Sequence, residues 1–262
     1  MTHPELIAFD FDGVICDGLI EYFQTAWQAY CLLFNPDDKQ PPEGLAERFY
    51  PLRPVIETGW EMPVLVRVLV QKGHQPDIDQ QIIKHWPEMA LPYLTEANLT
   101  KVESVQALDG VRDRKIKENP SDWLALHRFY PGMIEQLGSL LASNTPIYIV
   151  STKEGRFIKS LLAQSGLSFP AERIIGKEVK RPKYETLRLL KDKHAVSNIW
   201  FVEDRLPALK AVTQQPDLSE VQLFLADWGY NLAADREQAR QDSRIHLLSL
   251  EKVVQKFDQW TC

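Results

Sequence analysis

Cysteine is scarce in this sequence. Its 262 residues include three cysteines, Cys16, Cys31 and Cys262, and no two of them form a CxxC pair. An odd number of widely spaced thiols does not suit a disulfide framework, so the pattern indicates a reducing compartment. The six histidines also lie far apart, and none pairs with another at a spacing typical of a zinc site.

Long hydrophobic runs are absent as well. The longest apolar run, Val64–Val70, is interrupted by Arg67 and cannot cross a bilayer. The first ten residues, MTHPELIAFD, are charged, and their apolar run is too short for a secretory signal. We therefore expect no membrane span and a cytoplasmic location.

The sequence also lacks an excess of positive charge. Its net charge is -6 and its isoelectric point is about 5.6. Nucleic acids and anionic membrane surfaces attract basic proteins, so the composition argues against both as partners. Basic residues do cluster locally between Lys177 and Lys183, which is compatible with a small anionic ligand.

Short apolar runs predict a parallel β-sheet. They are four or five residues long and rich in β-branched and aromatic types, as strands buried on both faces are: Leu6–Phe9, Ile147–Val150, Asn198–Val202 and Val221–Leu225. Patterns of helical period lie before and between the later runs, for example from Met133 to Leu141 and from Phe157 to Leu162. Alternating strands and helices predict an α/β fold with a doubly wound, mainly parallel sheet.

Residues 19–128 do not follow this alternation. The segment begins with a strongly amphipathic helix from Leu19 to Tyr30, and further helical patterns cover Pro63–Lys72, Ile78–Trp86 and Lys101–Leu108. We expect prolines to interrupt these helices, among them Pro51, Pro87 and Pro92. The segment is therefore predicted to be a mostly α-helical insertion, with residues 1–18 and 129–262 forming the α/β core.

Polar residues follow the ends of the predicted strands, where ligands bind in open α/β sheets. Asp10, Asp12 and Gly13 follow the first strand, Ser151 and Thr152 follow the second, and Glu203 and Asp204 follow the third. Lys183 stands before the next helical pattern. The sequence thus predicts one site that combines acids, a hydroxyl group and a lysine.

Phosphoryl transfer is the chemistry that fits this set. Asp10 and Asp204 offer hard carboxylate ligands for Mg²⁺, and the backbone carbonyl of Asp12 offers a third oxygen. Asp10 would then attack phosphorus, and Asp12 would act as acid and then as base. The remaining residues would contact the phosphoryl group: Ser151 and nearby backbone N–H groups bind its oxygens, Lys183 neutralises its charge, and Gly13 gives it room.

The motifs resemble those of the haloacid dehalogenase superfamily. AFDFDGVICDG, residues 8–18, resembles the first motif, an apolar strand that ends in Asp-x-Asp-Gly. IYIVSTK, residues 147–153, is similar to the second motif, and FYPGMIEQL, residues 129–137, to the helix start that precedes it. KYETL, residues 183–187, and WFVEDR, residues 200–205, resemble the third and fourth motifs.

This resemblance implies a Rossmann-like core with a helical cap inserted after the first motif, in the manner of phosphoglycolate phosphatases. It implies that Asp204 contacts the metal directly and that Glu203 acts through water or through another ligand. Lys180, which precedes Arg181-Pro182, competes with Lys183 for the third motif, because many relatives carry the lysine just before a proline. We favour Lys183, which opens a helical pattern.

Two positions depart from the superfamily pattern. Gly18 stands where relatives often have a serine or threonine, and the fourth motif lacks a second aspartate a few residues further on. The leading expectation is a Mg²⁺-dependent phosphatase that acts on a small phosphorylated metabolite. The alternatives are a sugar-phosphate mutase, a 2-haloacid dehalogenase, which Asp12 disfavours, and a non-catalytic binding protein.

Overall fold

The computed structural model describes residues 3–73 and 75–260, so Cys262 lies outside the described part of the chain. The chain divides into two compact units. Residues Gly18–His127 form an inserted unit, and the chain up to Asp17 forms a core unit together with the chain from Arg128 onward. The role of the insertion as a cap stays a prediction. None of the described helices is long and apolar enough to cross a membrane.

Helices build the described part of the inserted unit. Their bounds are α1 (Leu19–Phe34), α2 (Leu45–Leu52), α3 (Glu61–Lys72), α4 (Ile78–Thr95), α5 (Lys101–Glu118) and α6 (Pro120–Leu124). Helix α5 begins at a capping box in which the Thr100 hydroxyl accepts from the Glu103 backbone N–H and the Glu103 carboxylate accepts from the Thr100 backbone N–H. These bonds satisfy backbone donors that the first helical turn leaves unpaired.

The prediction that prolines interrupt these helices is wrong in part. Pro51 lies inside α2, and Pro87 and Pro92 lie inside α4. At Pro87 the prediction holds: His85, two residues before it, has a non-helical φ of -127°, and this kink divides α4 into two helical parts. A proline ring removes one N–H donor and crowds the preceding turn, which kinks a helix that packing still holds together.

A buried carboxylate connects three helices of the inserted unit. Glu21 on α1 is fully buried and forms a bidentate ion pair with Arg112 on α5. The Arg112 Nε donates to Glu21 Oε1 at 2.8 Å, and a terminal guanidinium nitrogen donates to Oε2 at 3.0 Å. Glu21 Oε1 also accepts from the Thr25 hydroxyl, at 2.7 Å, and from the Trp123 indole N–H on α6, at 3.3 Å. A buried charge needs such partners, and this group therefore fixes α1, α5 and α6 against one another.

The core unit contains a parallel six-stranded sheet in the order β5-β4-β1-β6-β7-β8. Its strands are β1 (Leu6–Phe9), β4 (Ile147–Val150), β5 (Ile174–Ile175), β6 (Ile199–Glu203), β7 (Gln222–Ala226) and β8 (Ile245–Leu248). The two-residue strands β2 (Cys16–Asp17) and β3 (Arg128–Phe129) pair antiparallel beside it. The predicted α/β fold with a mainly parallel sheet is confirmed.

Six helices accompany the described strands of the core. They are α7 (Met133–Leu141), α8 (Gly155–Gln164), α9 (Lys183–His194), α10 (Leu206–Thr213), α11 (Ala233–Gln241) and α12 (Leu250–Val253). One face of the sheet, including Ala8 and Phe201, shares a buried apolar cluster with α9, α10 and α11. The other face packs aromatic rings together, with Trp260 against Phe9 and Trp200. Burial on both faces explains the nearly continuous apolar strands.

Two leucines on α9 test this packing. Leu187 is fully buried in the cluster, whereas Leu189 is 48% exposed. We expect Leu187→Ala to lower the free energy of unfolding by about 2–5 kcal/mol, because it removes buried methyl groups and leaves a cavity. Leu189→Ala, the matched control, should change it by less than about 0.5 kcal/mol. Urea denaturation measures both, and equal losses would contradict the packing.

Candidate active site

Three carboxylates meet at the carboxyl edge of the sheet. Asp10 follows β1, Glu203 ends β6 and Asp204 follows it, and β1 and β6 are neighbours in parallel register. Each of the three residues is almost fully buried, and one oxygen of each lies within 4.8 Å of the others. Residues distant in the sequence are thus brought together, as the strand ends predicted.

Lys183 lies between two of these acids. Its ammonium is 3.0 Å from Asp10 Oδ1 and 2.5 Å from Glu203 Oε2, and only 13% of its side chain is exposed. Asp10 Oδ1 has no well-aligned hydrogen-bond donor among the described residues, so its attraction to Lys183 is electrostatic. The other oxygen of Glu203 accepts from the backbone N–H of Arg205 at 2.9 Å, which occupies both Glu203 oxygens.

Burial and neighbouring charges shift the pKa values of the cluster. Burial raises the pKa of Asp10 to about 6, although Lys183 acts in the opposite direction. Burial, Glu203 and Asp10 together raise the pKa of Asp204 well above its usual range. Burial alone would lower the pKa of Lys183, but Asp10 and Glu203 outweigh it and raise that pKa. Lys183 therefore stays protonated. Further positive charge near Asp10 and Asp204 would stabilise their ionised forms.

Asp204 has one oxygen held and one oxygen open. Its Oδ2 accepts from the backbone N–H of Tyr230 at 2.7 Å. Its Oδ1 is buried, and no hydrogen-bond donor among the described residues reaches it. A buried carboxylate oxygen without a partner is costly, and oxygen ligands of this kind suit Mg²⁺. The residues present therefore fit a divalent cation held between Asp10 and Asp204.

The loop after β7 holds Asp204 in place. Besides the Tyr230 contact, the Asn231 side-chain amide donates to the backbone oxygens of Asp204 and Ala226, at 3.0 and 2.8 Å. The Tyr230 hydroxyl donates to Asp17 Oδ1 at 2.8 Å. Sequence reasoning did not identify this loop as part of the site. The available signal was a glycine-containing turn, Asp227–Asn231, directly after a predicted strand.

Two glycines allow the backbone to approach Asp204. Gly13 has a φ of +84°, and a Cβ atom there would lie 2.1 Å from Asp204 Oδ2. A Cβ atom at Gly229 would lie 2.3 Å from Asp204 Cβ and 2.5 Å from the Gly13 carbonyl oxygen. Both positions require glycine, Gly13 for its backbone conformation as well as for space.

Asp12 points to a different partner. Lys153 Nζ lies 3.2 and 3.4 Å from the two Asp12 carboxylate oxygens. Ser151 is buried, and its hydroxyl accepts from the Lys153 backbone N–H at 3.2 Å, whereas Thr152 is exposed. The structure thus separates the two predicted aspartates: Asp10 pairs with Lys183, and Asp12 pairs with Lys153.

A pocket of about 280 Å³ lies beside the lysine. Ser151, Thr152 and Lys183 line it, and so does Lys180. Lys180 is exposed and has a left-handed backbone with a φ of 50°, while Lys183 begins α9 and contacts Asp10. Of the two lysines that the sequence left in competition, Lys183 is the one beside the carboxylates.

Comparisons with known proteins identify the fold. No family model matches the chain, and no curated protein matches it. Solved structures do. A predicted phosphatase from Clostridium acetobutylicum is 13% identical, with a TM-score of 0.59 over 97% of each chain. A predicted phosphoglycolate phosphatase from Haemophilus somnus is 18% identical, with a TM-score of 0.55 over 88% of each chain.

A third structure carries the superfamily in its name. A haloacid dehalogenase-like family hydrolase from Streptococcus pneumoniae is 15% identical, with a TM-score of 0.54 over 92% of this chain and 94% of that chain. At such identities the likeness shows the fold. The chain therefore has the Rossmann-like α/β fold of haloacid dehalogenase-like hydrolases, as its motifs predicted.

The raised pKa of Asp10 predicts how stability depends on pH. The pKa rises from 3.8 to about 6 on folding, so the folded state holds this proton more tightly than the unfolded state. The resulting stabilisation is complete below about pH 4 and is lost as the pH rises through about 6. In EDTA, we expect the free energy of unfolding of the wild type, relative to Asp10→Asn, to fall by about 1–3 kcal/mol over this window. Urea denaturation at stepped pH measures it, and parallel pH curves would refute the shift.

Proposed function

We propose that this chain is a magnesium-dependent phosphatase that hydrolyses a small phosphorylated metabolite through an aspartyl-phosphate intermediate. One observation carries the proposal: the buried Asp10 carboxylate lies 3.0 Å from the Lys183 ammonium and within 4.8 Å of Asp204, which has an oxygen without a hydrogen-bond donor among the described residues. A nucleophilic carboxylate, a fixed positive charge and a cation site at one point are what phosphoryl transfer requires. The solved structures of the same fold that are named phosphatases add support.

Asp10 is the proposed nucleophile. Its Oδ1 is drawn toward Lys183, and its backbone N–H donates to the Val202 carbonyl at 2.8 Å, which fixes the residue at the end of β1. One carboxylate oxygen would attack phosphorus while the bond from phosphorus to the leaving oxygen breaks. Water would then release phosphate from Asp10.

Asp12 is the proposed general acid and base. It lies two residues beyond Asp10, and it is more exposed than the buried acids, so its carboxylate can reach a substrate oxygen. It would give its proton to the departing alkoxide and later take a proton from the attacking water. This cycle restores both aspartates.

Phosphate binding is assigned to groups around the pocket. Lys183 would supply positive charge, and the hydroxyl groups of Ser151 and Thr152 would supply donors. Gly13, whose own N–H donates to the Cys16 carbonyl at 2.8 Å, would leave room for the phosphoryl group. Mg²⁺ would be held by Asp10, Asp204 and the Asp12 backbone carbonyl, and it would neutralise charge on the phosphoryl oxygens. Glu203, whose oxygens are both occupied, would hold Lys183 in place and not bind the metal directly.

The other candidate activities receive less support from the site. A 2-haloacid dehalogenase needs no metal, whereas a buried three-carboxylate cluster with an open oxygen favours a cation. A binding protein would gain nothing from keeping these opposed charges buried. A mutase shares the same proposed residues and would transfer the phosphoryl group to a sugar instead of to water.

The proposal predicts hydrolysis of p-nitrophenyl phosphate that depends on Mg²⁺. EDTA should abolish the activity, and Asp10→Asn should lower kcat by at least about 10³-fold, because the amide cannot attack phosphorus. Asp192→Asn is the matched control: Asp192 is an exposed aspartate of α9, and its replacement should leave the rate unchanged. Release of p-nitrophenol measures the rate. A wild type that is inactive toward a broad panel of phosphate esters would contradict the proposal.

Replacing the two lysines separately tests the assignment of the third motif. We expect Lys183→Met to reduce kcat/KM by at least about 10²-fold, because it removes the charge beside Asp10. Lys180→Met, which removes an exposed charge from the same pocket, should cost less than about threefold. Circular dichroism checks that both variants fold. The opposite order of the two losses would move the assignment to Lys180.

A further inference from the structure

Lys153 is a largely buried cation that the roles given above do not use. It lies in the loop between β4 and α8, and only 9% of its side chain is exposed. Its ammonium lies within 3.4 Å of both carboxylate oxygens of Asp12. A lysine that reaches both oxygens limits the rotation of the carboxylate about its χ2 angle.

The backbone around Lys153 is held on both sides. Its N–H donates to the Ser151 hydroxyl at 3.2 Å, and its carbonyl accepts from the Lys177 N–H at 2.9 Å. Gly176 allows the two loops to meet, because a Cβ atom there would lie 2.7 Å from the Lys153 carbonyl oxygen. The Gly155 N–H also donates to Glu178 at 3.1 Å, which ties the end of the loop to the same segment. Lys153 is therefore presented from a fixed loop.

We propose that Lys153 is a positioning residue for Asp12: it orients the carboxyl group and stabilises the negative charge that Asp12 acquires when it donates its proton to the leaving group. This inference rests on the proposed phosphatase function and assigns a separate residue to one step of it. In that step the bond from Asp10 to phosphorus forms, the bond from phosphorus to the leaving oxygen breaks, and the proton passes from Asp12 to that oxygen. The carboxylate left on Asp12 then faces an ammonium group.

The choice of leaving group separates a role through Asp12 from a general structural role. A structural defect would lower activity toward alkyl and aryl esters alike. An alkyl alkoxide is a poor leaving group and needs a proton from Asp12, whereas p-nitrophenolate leaves without one. The ratio kcat/KM reports steps up to the first irreversible one, so it excludes later hydrolysis of the aspartyl phosphate. A residue that acts through Asp12 should therefore affect alkyl esters selectively.

The experiment compares an alkyl phosphate with p-nitrophenyl phosphate in the full chain with saturating Mg²⁺. The alkyl substrate is the best one found in a panel of such esters. We expect Lys153→Met to lower kcat/KM by about tenfold or more for the alkyl ester and by less than about threefold for the aryl ester. Asp12→Asn should show the same selectivity with larger losses. Lys153→Arg, which keeps a positive charge at this position, should recover part of the alkyl activity.

Lys159→Met is the matched control, because Lys159 is an exposed lysine of the neighbouring helix α8 and its loss should change neither rate. Equal losses for both esters in Lys153→Met, with Asp12→Asn still selective, would overturn the inference and leave the phosphatase function standing. Unchanged alkyl activity in Lys153→Met would also overturn it. A wild type inactive toward both esters would refute the function and this inference together.

Discussion

The ammonium of Lys183, held between Asp10 and Glu203, is the interaction on which the carboxyl edge of this sheet depends. Three buried acids stand within a few ångströms of one another, and burial alone would drive them to take up protons. Lys183 offsets part of this repulsion, and the two acids in turn keep Lys183 charged. The open oxygen of Asp204 shows that the compensation is incomplete within the described chain. The buried acids therefore fit a further cation, as proposed, and strand pairing between β1 and β6 brings them together.

Each proposed participant has a support that comes from another part of the core. The loop after β7 orients Asp204 through Tyr230 and Asn231, and Glu203 orients Lys183. Lys153 reaches Asp12 from a loop that is itself anchored to the segment after β5. Such supports reduce the freedom of the reacting groups before a substrate arrives, which is the basis of electrostatic preorganisation. The geometry depends on loops packed on a rigid parallel sheet and not on any single motif.

The sequence predicted the parts of the core that repeat a strong local pattern. Strands β1 and β4 matched their apolar runs residue for residue, and β6 and β7 were offset by one residue, with Glu203 inside β6 instead of after it. Short strands such as β5 carried too few residues to show a period.

The contribution of Asn231 could not be predicted, because it arises from a bond to a backbone oxygen that only the folded chain brings near. The contact of Asp12 with Lys153 could not be predicted either, because it joins residues far apart in the sequence, although both belong to the motifs named above. Helix α4 kinks at His85, beside Pro87, as the proline predicted, but it continues through Pro92, which the sequence did not predict.

The short pairing of β2 with β3 has a consequence for how the chain can assemble. Asp17 and Arg128 are register partners, and the ends of the inserted unit also adjoin, since a Cβ atom at Gly18 would lie 3.7 Å from the His127 ring. A long unfolded connection between β1 and β4 would add loop-closure entropy to their pairing. Once the insertion has folded with its ends together, Asp17 and Arg128 are as close as the two strands of a hairpin, so little chain remains to be closed between β1 and β4. The more than one hundred residues of the insertion then add little to the entropic cost of pairing β1 with β4, because the connection that remains to be closed is short.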